Sequence, residues 1–159
     1  MDAKRMTKIA MVCMGNICRS PIAEHVMRAK AEAAGLDVHV ESAGTGGWHI
    51  GNAADPRTVN VLTEHGYTSV HSAQQFGPDW FDRFDHILVM DNDNFKNVTS
   101  QTDDPVAIAK VRMLMEFDPT AEPGAIVPDP YYGVPADYTH VLDLVERACD
   151  GLVTHLRNQ

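Results

Sequence analysis

Apolar positions fall into four short runs separated by segments of helical spacing. Residues 8–13, KIAMVC, make the first run, with the length of a buried strand. Beyond it Ile22, Val26, Ala29 and Ala33 recur at helical spacing. Ser20 is the expected N-cap of this helix, Pro21 its first residue and Gly35 its end. Residues 37–42, DVHVES, alternate and predict a second strand, and the glycine-rich loop AGTGGWHIGN follows. Asp55-Pro56 has the form of another cap and first turn, with Val59 and Leu62 inside and Gly66 closing the helix. Residues 86–90, HILVM, and 111–117, VRMLMEF, predict the third and fourth strands, the third ending at Asp91. The segment DPTAEPGAIVPDPYYGVPAD holds five of the nine prolines. That is too much proline for a regular element, so it predicts a long ordered loop or a lid. A last helix starts near Asp137, with Val141, Val145, Ala148, Cys149, Leu152 and Leu156 as its apolar stripe.

Strands alternating with helices over residues 1–159 predict a single α/β domain. Its expected architecture is a three-layer α/β/α, Rossmann-like arrangement, with a central four-stranded parallel sheet and helices on both faces. Ligands of such sheets bind beyond the carboxyl ends of the strands. Three features land at that edge: the 13–20 loop, Ser42 and Asp91.

Charge narrows the chemistry. The chain of 159 residues carries a net charge of −9, which argues against a nucleic-acid binder and requires any anionic substrate to be caught by a local positive field. No apolar run reaches the roughly 18 residues of a membrane span. The start, MDAKRMTKIAMV, is mildly basic through Lys4, Arg5 and Lys8, but the apolar run after it is too short for a signal peptide, so a cytoplasmic protein is expected. Three cysteines are an odd count, unlike a secreted disulfide framework.

Two of those cysteines lie in MVCMGNICRSPIAEH, between the first strand and the first helix. Backbone N–H groups of such a loop can curl around an anion, and the helix N-terminus adds positive charge. Arg19 supplies a planar fork that can hold two phosphate oxygens. At the mouth of this cradle, positive charge and N–H donors favour the thiolate form of Cys13. A thiolate beneath a bound phosphate is placed for in-line attack on phosphorus. Gly15 is expected to allow the tight turn, and Asn16 and Ser20 to hold the loop by hydrogen bonds. Two other readings of Cys13 and Cys18 are metal ligation and plain buried thiols; no histidine lies in the loop to complete a metal set. The loop is not a Walker motif, because no Gly-Lys-Ser/Thr opens the helix.

CMGNICRSP resembles the active-site loop of low-molecular-weight protein tyrosine phosphatases, and DPYYG at 129–133 resembles the general-acid loop of that family. ESAGTGGWHIGN and MDNDN fall where its other loops would. The resemblance covers nearly the whole chain. It implies a metal-free, cofactor-free, two-step hydrolysis of phosphotyrosine. Cys13 is the implied nucleophile and Asp129 the implied acid and then base. Arg19 and the backbone of Met14, Gly15, Asn16, Ile17 and Cys18 are implied to bind the phosphoryl oxygens.

Trp48 and Tyr131 are the expected walls of a slot for a phenyl ring, with Tyr132 beside them, Met14 and Ile17 lining the base, and His49 on the rim. The resemblance implies that Ser42 and His71 join Asn16 and Ser20 in holding the loop, and that His65 and His71 lie near the carboxylate of Asp91. Taken alone, His65 is equally a helix C-terminal partner. Cys18 is a candidate redox partner for Cys13, and Cys149 a small core residue. Tyr131 and Tyr132 are candidate targets of a cognate tyrosine kinase. The expected partners are phosphotyrosine proteins, with inorganic phosphate or other oxyanions competing in the loop, and the expected state is a monomer. Alternatives on the same scaffold are an arsenate reductase, an arginine phosphatase and a non-catalytic phosphopeptide binder. The first would need a further relay cysteine pair, and the second carries threonine where this chain has Ile17. The third has no need of Cys13, Arg19 and Asp129 together.

Overall fold

The computed structural model describes residues 6–159, so the basic start containing Lys4 and Arg5 lies outside the described residues. Four parallel strands form one sheet: β1 (Thr7–Cys13), β2 (Val38–Gly44), β3 (His86–Val89) and β4 (Val111–Met113), in the order β2-β1-β3-β4. β1 has β2 on one side and β3 on the other. The topological switch point therefore lies at its carboxyl end, where an α/β sheet opens a crevice for a ligand.

Alternation along β1 builds two cores. Ile9, Met11 and Cys13 face α1 (Arg19–Ala33), α2 (Pro56–Glu64) and α6 (Pro135–Arg157), together with Ile22, Val26, Leu62, Val145 and Leu152. Ala10 and Val12 face the other way, against Phe76, Phe84 and the short α3 (Trp80–Arg83), α4 (Asn92–Thr99) and α5 (Pro105–Ile108). This is the α/β/α layering the sequence predicts. Among the described residues no helix is long and apolar enough to cross a membrane.

Several boundaries differ from the sequence reading. The first helix begins at Arg19 with Cys18 at its N-cap, and Ser20 caps nothing. Its hydroxyl is used inside the cradle instead. Gly35, at φ +70°, ends that helix as expected; the Leu36 N–H bonds Ala31 and the Gly35 N–H bonds Glu32, closing the last turn. β2 runs two residues further than expected, through Ala43 and Gly44. On α2 the Asp55 carboxylate accepts the Arg57 N–H at 2.9 Å, as a cap should, but Thr58, Val61 and Leu62 face inward while Val59 is half-buried. α6 starts at Pro135 rather than Asp137, whose carboxylate accepts the Val134 N–H at 2.8 Å.

The fourth strand stops at Met113, and Leu114–Phe117 form a 3-10 turn. Leu114, Met115 and Phe117 are buried while Glu116 is exposed. The Phe117 carbonyl packs so close to Gly151 of α6 that a side-chain carbon there would stand 1.7 Å from it. Docking on α6 bends the chain off the sheet.

Candidate active site

The loop that leaves β1 wraps back over the Cys13 sulfur. Its left-handed turn falls on Asn16, at φ +57°, rather than on Gly15; no other non-glycine among the described residues has a positive φ. Asparagine tolerates this conformation, and here its bonds fix it. Asn16 Nδ2 donates to Ser20 Oγ at 2.8 Å and to Ser42 Oγ at 3.0 Å. Asn16 Oδ1 accepts the Gln74 N–H at 2.9 Å, and its carbonyl accepts from His71 Nε2 at 2.6 Å. Turned this way, the Asn16 N–H points at Cys13 Sγ, 3.3 Å away. Gly15 instead gives room to His49, whose ring carbon would lie 3.2 Å from a side chain there.

Cys13 Sγ lies 2.9 Å from Ser20 Oγ, which is fully buried in the first turn of α1. Ser42 connects outward, donating to Glu24 Oε1 at 2.5 Å, and Glu24 Oε2 accepts from Arg28 at 2.5 Å. Glu24 is also the carboxylate beside His71, whose Nδ1 is 3.9 Å from it. Burial outweighs the Asn16 bond and the Glu24 charge, holding the His71 imidazole below its ordinary range. The expected grouping of His65 and His71 with Asp91 is replaced by separate pairings: His65 bonds the Val61 carbonyl at 2.8 Å at the end of α2, and Asp91 faces Arg19.

The backbone around the cradle is tied on both sides. The Thr45 N–H bonds the Cys13 carbonyl and the Gly46 N–H that of Met14, each at 2.9 Å, and the Asp55 N–H bonds the Ile17 carbonyl at 2.9 Å. Gly44 is required here, because a side-chain carbon would sit 2.6 Å from the Met14 carbonyl.

Arg19 is 3% exposed in its side chain. It donates through Nη1 to Asp91 Oδ2 at 2.6 Å and to the Val127 carbonyl at 3.0 Å, while Nη2 stands 3.7 Å from Asp129 Oδ2. Burial works against its charge, but Cys13, Asp91 and Asp129 outweigh it and keep the guanidinium protonated beyond its ordinary range. Asp91 also caps α4, accepting the Asn94 N–H at 2.8 Å. Asp129 accepts the Tyr131 N–H through Oδ1 at 3.1 Å and is 34% exposed in its side chain.

Cys13, Arg19, Asp129, Met14, Gly15, Ile17, Cys18, Trp48, His49, Tyr131 and Tyr132 all line one cleft of about 350 Å³. Trp48 is 72% exposed and Tyr132 95%, so the aromatic walls stand proud of the fold. Met14 is also exposed and belongs to the mouth, whereas Ile17 is buried at the base. The Tyr131 and Tyr132 rings meet edge to face at 4.9 Å. Burial pushes the Cys18 thiol up to about 11, with the Tyr138 hydroxyl 3.4 Å away as its partner. Among the described residues no three His, Cys, Asp or Glu side chains gather as a metal site would require. Cys149 is wholly buried on the stripe of α6.

Sequence reasoning did not find Glu24, Gln74, Val127 or Arg57. Glu24 follows Ser20 by four residues, so helical spacing places both on one face of α1; that was the one usable signal.

A parallel α/β sheet with a buried thiol and arginine in a loop at its switch point defines a site for an oxyanion. Residues 8–159 match the model of the low molecular weight phosphotyrosine protein phosphatase family. A low molecular weight protein-tyrosine-phosphatase of Streptomyces coelicolor is 45% identical, over 96% of this chain and 94% of its own length. The chain belongs to the low molecular weight phosphotyrosine protein phosphatase family. Among solved structures, a protein tyrosine phosphatase from Entamoeba histolytica superposes with a TM-score of 0.91 at 34% identity, covering 96% of this chain and 97% of that one. A structure described as the YwlE arginine phosphatase superposes with a TM-score of 0.87 at 29% identity, covering 96% and 97%.

Proposed function

We propose that this chain hydrolyses phosphotyrosine in proteins through a phosphocysteine intermediate. The observation that carries the reading is the convergence of Cys13, Arg19 and Asp129 on one aromatic-walled cleft. In the first step the Cys13 thiolate attacks phosphorus, the bond to the phenolic oxygen breaks, and the Asp129 carboxyl gives that oxygen its proton. In the second, water attacks the phosphocysteine, its proton passes to the Asp129 carboxylate, and the thiolate leaves. Ser20 Oγ, 2.9 Å from the sulfur, stabilises the departing thiolate. Arg19 and the backbone N–H groups of residues 14–19 bind the phosphoryl oxygens as charge moves onto them.

Family membership supports phosphoprotein substrates. The exposure of Tyr131 and Tyr132 supports their modification by a cognate tyrosine kinase. Cys18 is the proposed redox partner: peroxide converts the Cys13 thiolate to a sulfenic acid, and the Cys18 thiol condenses with it, releasing water. Phosphoarginine is the second reading, supported by the likeness to the arginine phosphatase structure. Ile17 at the base of the cleft favours the aryl ester.

Metal-free turnover of phosphotyrosine and phosphoarginine peptides tests this. Hydrolysis of phosphotyrosine by wild type and none by Cys13→Ser is expected. Preference for phosphoarginine would overturn the substrate assignment, and full activity in Cys13→Ser the mechanism.

A further inference from the structure

Arg57 does not line the cleft, yet it is tied to both loops that the chemistry uses. From the first turn of α2 its Nη2 donates to the Tyr131 carbonyl at 2.8 Å and its Nη1 to the Gly133 carbonyl at 3.1 Å. Its Nε and Nη2 also meet the two carboxylate oxygens of Asp55, each at 3.1 Å. A guanidinium carries five N–H donors, and these contacts use all but one. The guanidinium carbon stands 4.7 Å from the centre of the Tyr138 ring and 5.9 Å from that of Tyr131, within reach of a cation–π attraction. Burial would raise the Asp55 carboxyl, but the bonds from Arg57 hold it below its ordinary range.

Asp55 continues the connection. Its backbone N–H bonds the Ile17 carbonyl at 2.9 Å. One path, Ile17 to Asp55 to Arg57 to Tyr131, therefore joins the loop holding Cys13 to the loop holding Asp129. Bonds inside the second loop are local: Asp129 takes the Tyr131 N–H, and the Gly133 N–H bonds the Pro130 carbonyl at 2.9 Å. They fix its shape; upstream of Asp129 the segment is held at Val127, whose N–H bonds the Met90 carbonyl at 2.8 Å and whose carbonyl takes Arg19, and downstream Arg57 holds it at Tyr131 and Gly133. The 3.7 Å between Arg19 and Asp129 is too long for a hydrogen bond.

We infer that Arg57 is a positioning residue for Asp129: braced by Asp55, its guanidinium pins the Tyr131 and Gly133 carbonyls and so sets the distance between the proton donor and the Cys13 sulfur. This rests on the phosphatase reading above. Proton donation by a general acid depends on the placement of the donor to within a fraction of an ångström. Lysine offers a point charge with three donors in place of the planar fork, one short of the four bonds Arg57 makes.

The test compares kcat/KM for phenyl phosphate, whose leaving group needs a proton, with 2,4-dinitrophenyl phosphate, whose leaving group hardly does. Arg57→Ala should lose about tenfold or more on the phenyl ester and less than about threefold on the dinitrophenyl ester. Arg57→Lys should fail to restore the phenyl activity, and Arg57→Ala should add little in an Asp129→Asn background. An equal loss on both esters, or full additivity with Asp129→Asn, overturns the inference, because a merely structural role lowers both rates alike. Should Arg57→Ala not fold, Arg57→Lys and Asp55→Asn are read against the same pair of esters. If wild type hydrolyses neither ester, the phosphatase reading itself fails.

Discussion

The Ser20 hydroxyl lies 2.9 Å from the Cys13 sulfur, at the inner end of a hydrogen-bonded chain that runs back through Asn16 and Ser42 to Glu24. Ser20→Ala removes the group nearest the sulfur without opening a large cavity. It should lower kcat by about a hundredfold or more, as losing one donor to a developing charge does. Steady-state kinetics with an aryl phosphate, alongside a melting curve close to wild type, checks this.

Asn16 combines a left-handed backbone with three side-chain bonds. Asn16→Ala removes the bonds and keeps an unfavourable φ, so urea unfolding should show a loss of about 2–4 kcal/mol. Asn16→Gly relieves the backbone and should regain part of that stability but not the activity, because Ser20 and Ser42 still lack the Asn16 amide that joins them.

Gly151 touches the Phe117 carbonyl on the side of the fold away from the cleft. An added side-chain carbon would stand 1.7 Å from that oxygen, and backbone cannot swing aside as a side chain can. Gly151→Ala should destabilise by about 2 kcal/mol or more, read as a lower Tm. Below the melting transition kcat should stay near wild type.

His71 and His86 are both held below their ordinary range by burial, which prevails over Glu24 in the first case and Asp85 in the second. The unfolded chain therefore binds more protons than the native one just below the ordinary histidine value of about 6.5. Their contribution to stability is complete above that pH and is lost as pH falls toward the depressed native values. Urea midpoints should drop between pH 7.5 and 5.5 in wild type, and less so in His71→Gln.

The sequence carries the proposed nucleophile and the arginine plainly, because Cys13 and Arg19 share one loop between a readable strand and a readable helix. Asp129 needed the resemblance of DPYYG, since an Asp before Pro is otherwise a common turn. Asn16 was hidden by its neighbour: Gly15 is the usual left-handed residue, and only the bonds to Ser42 and Gln74, distant in the chain, move the turn by one position. Arg57 leaves no signal of its reach to the acid loop, since what it holds there are the Tyr131 and Gly133 carbonyls, and backbone carbonyls have no identity in a sequence. The end of the fourth strand is hidden for a similar reason. VRMLMEF has the composition of a strand, and what cuts it short is the approach of Gly151 from a distant helix.

The covalent intermediate is the most direct point of test. Asp129→Ala, mixed with p-nitrophenyl phosphate and quenched in acid during turnover, still forms the intermediate from a good leaving group but hydrolyses it slowly. Peptide mass spectrometry should then find the phosphoryl group on Cys13. Turnover with no adduct, or with the phosphoryl group on another residue, would contradict Cys13 as the nucleophile.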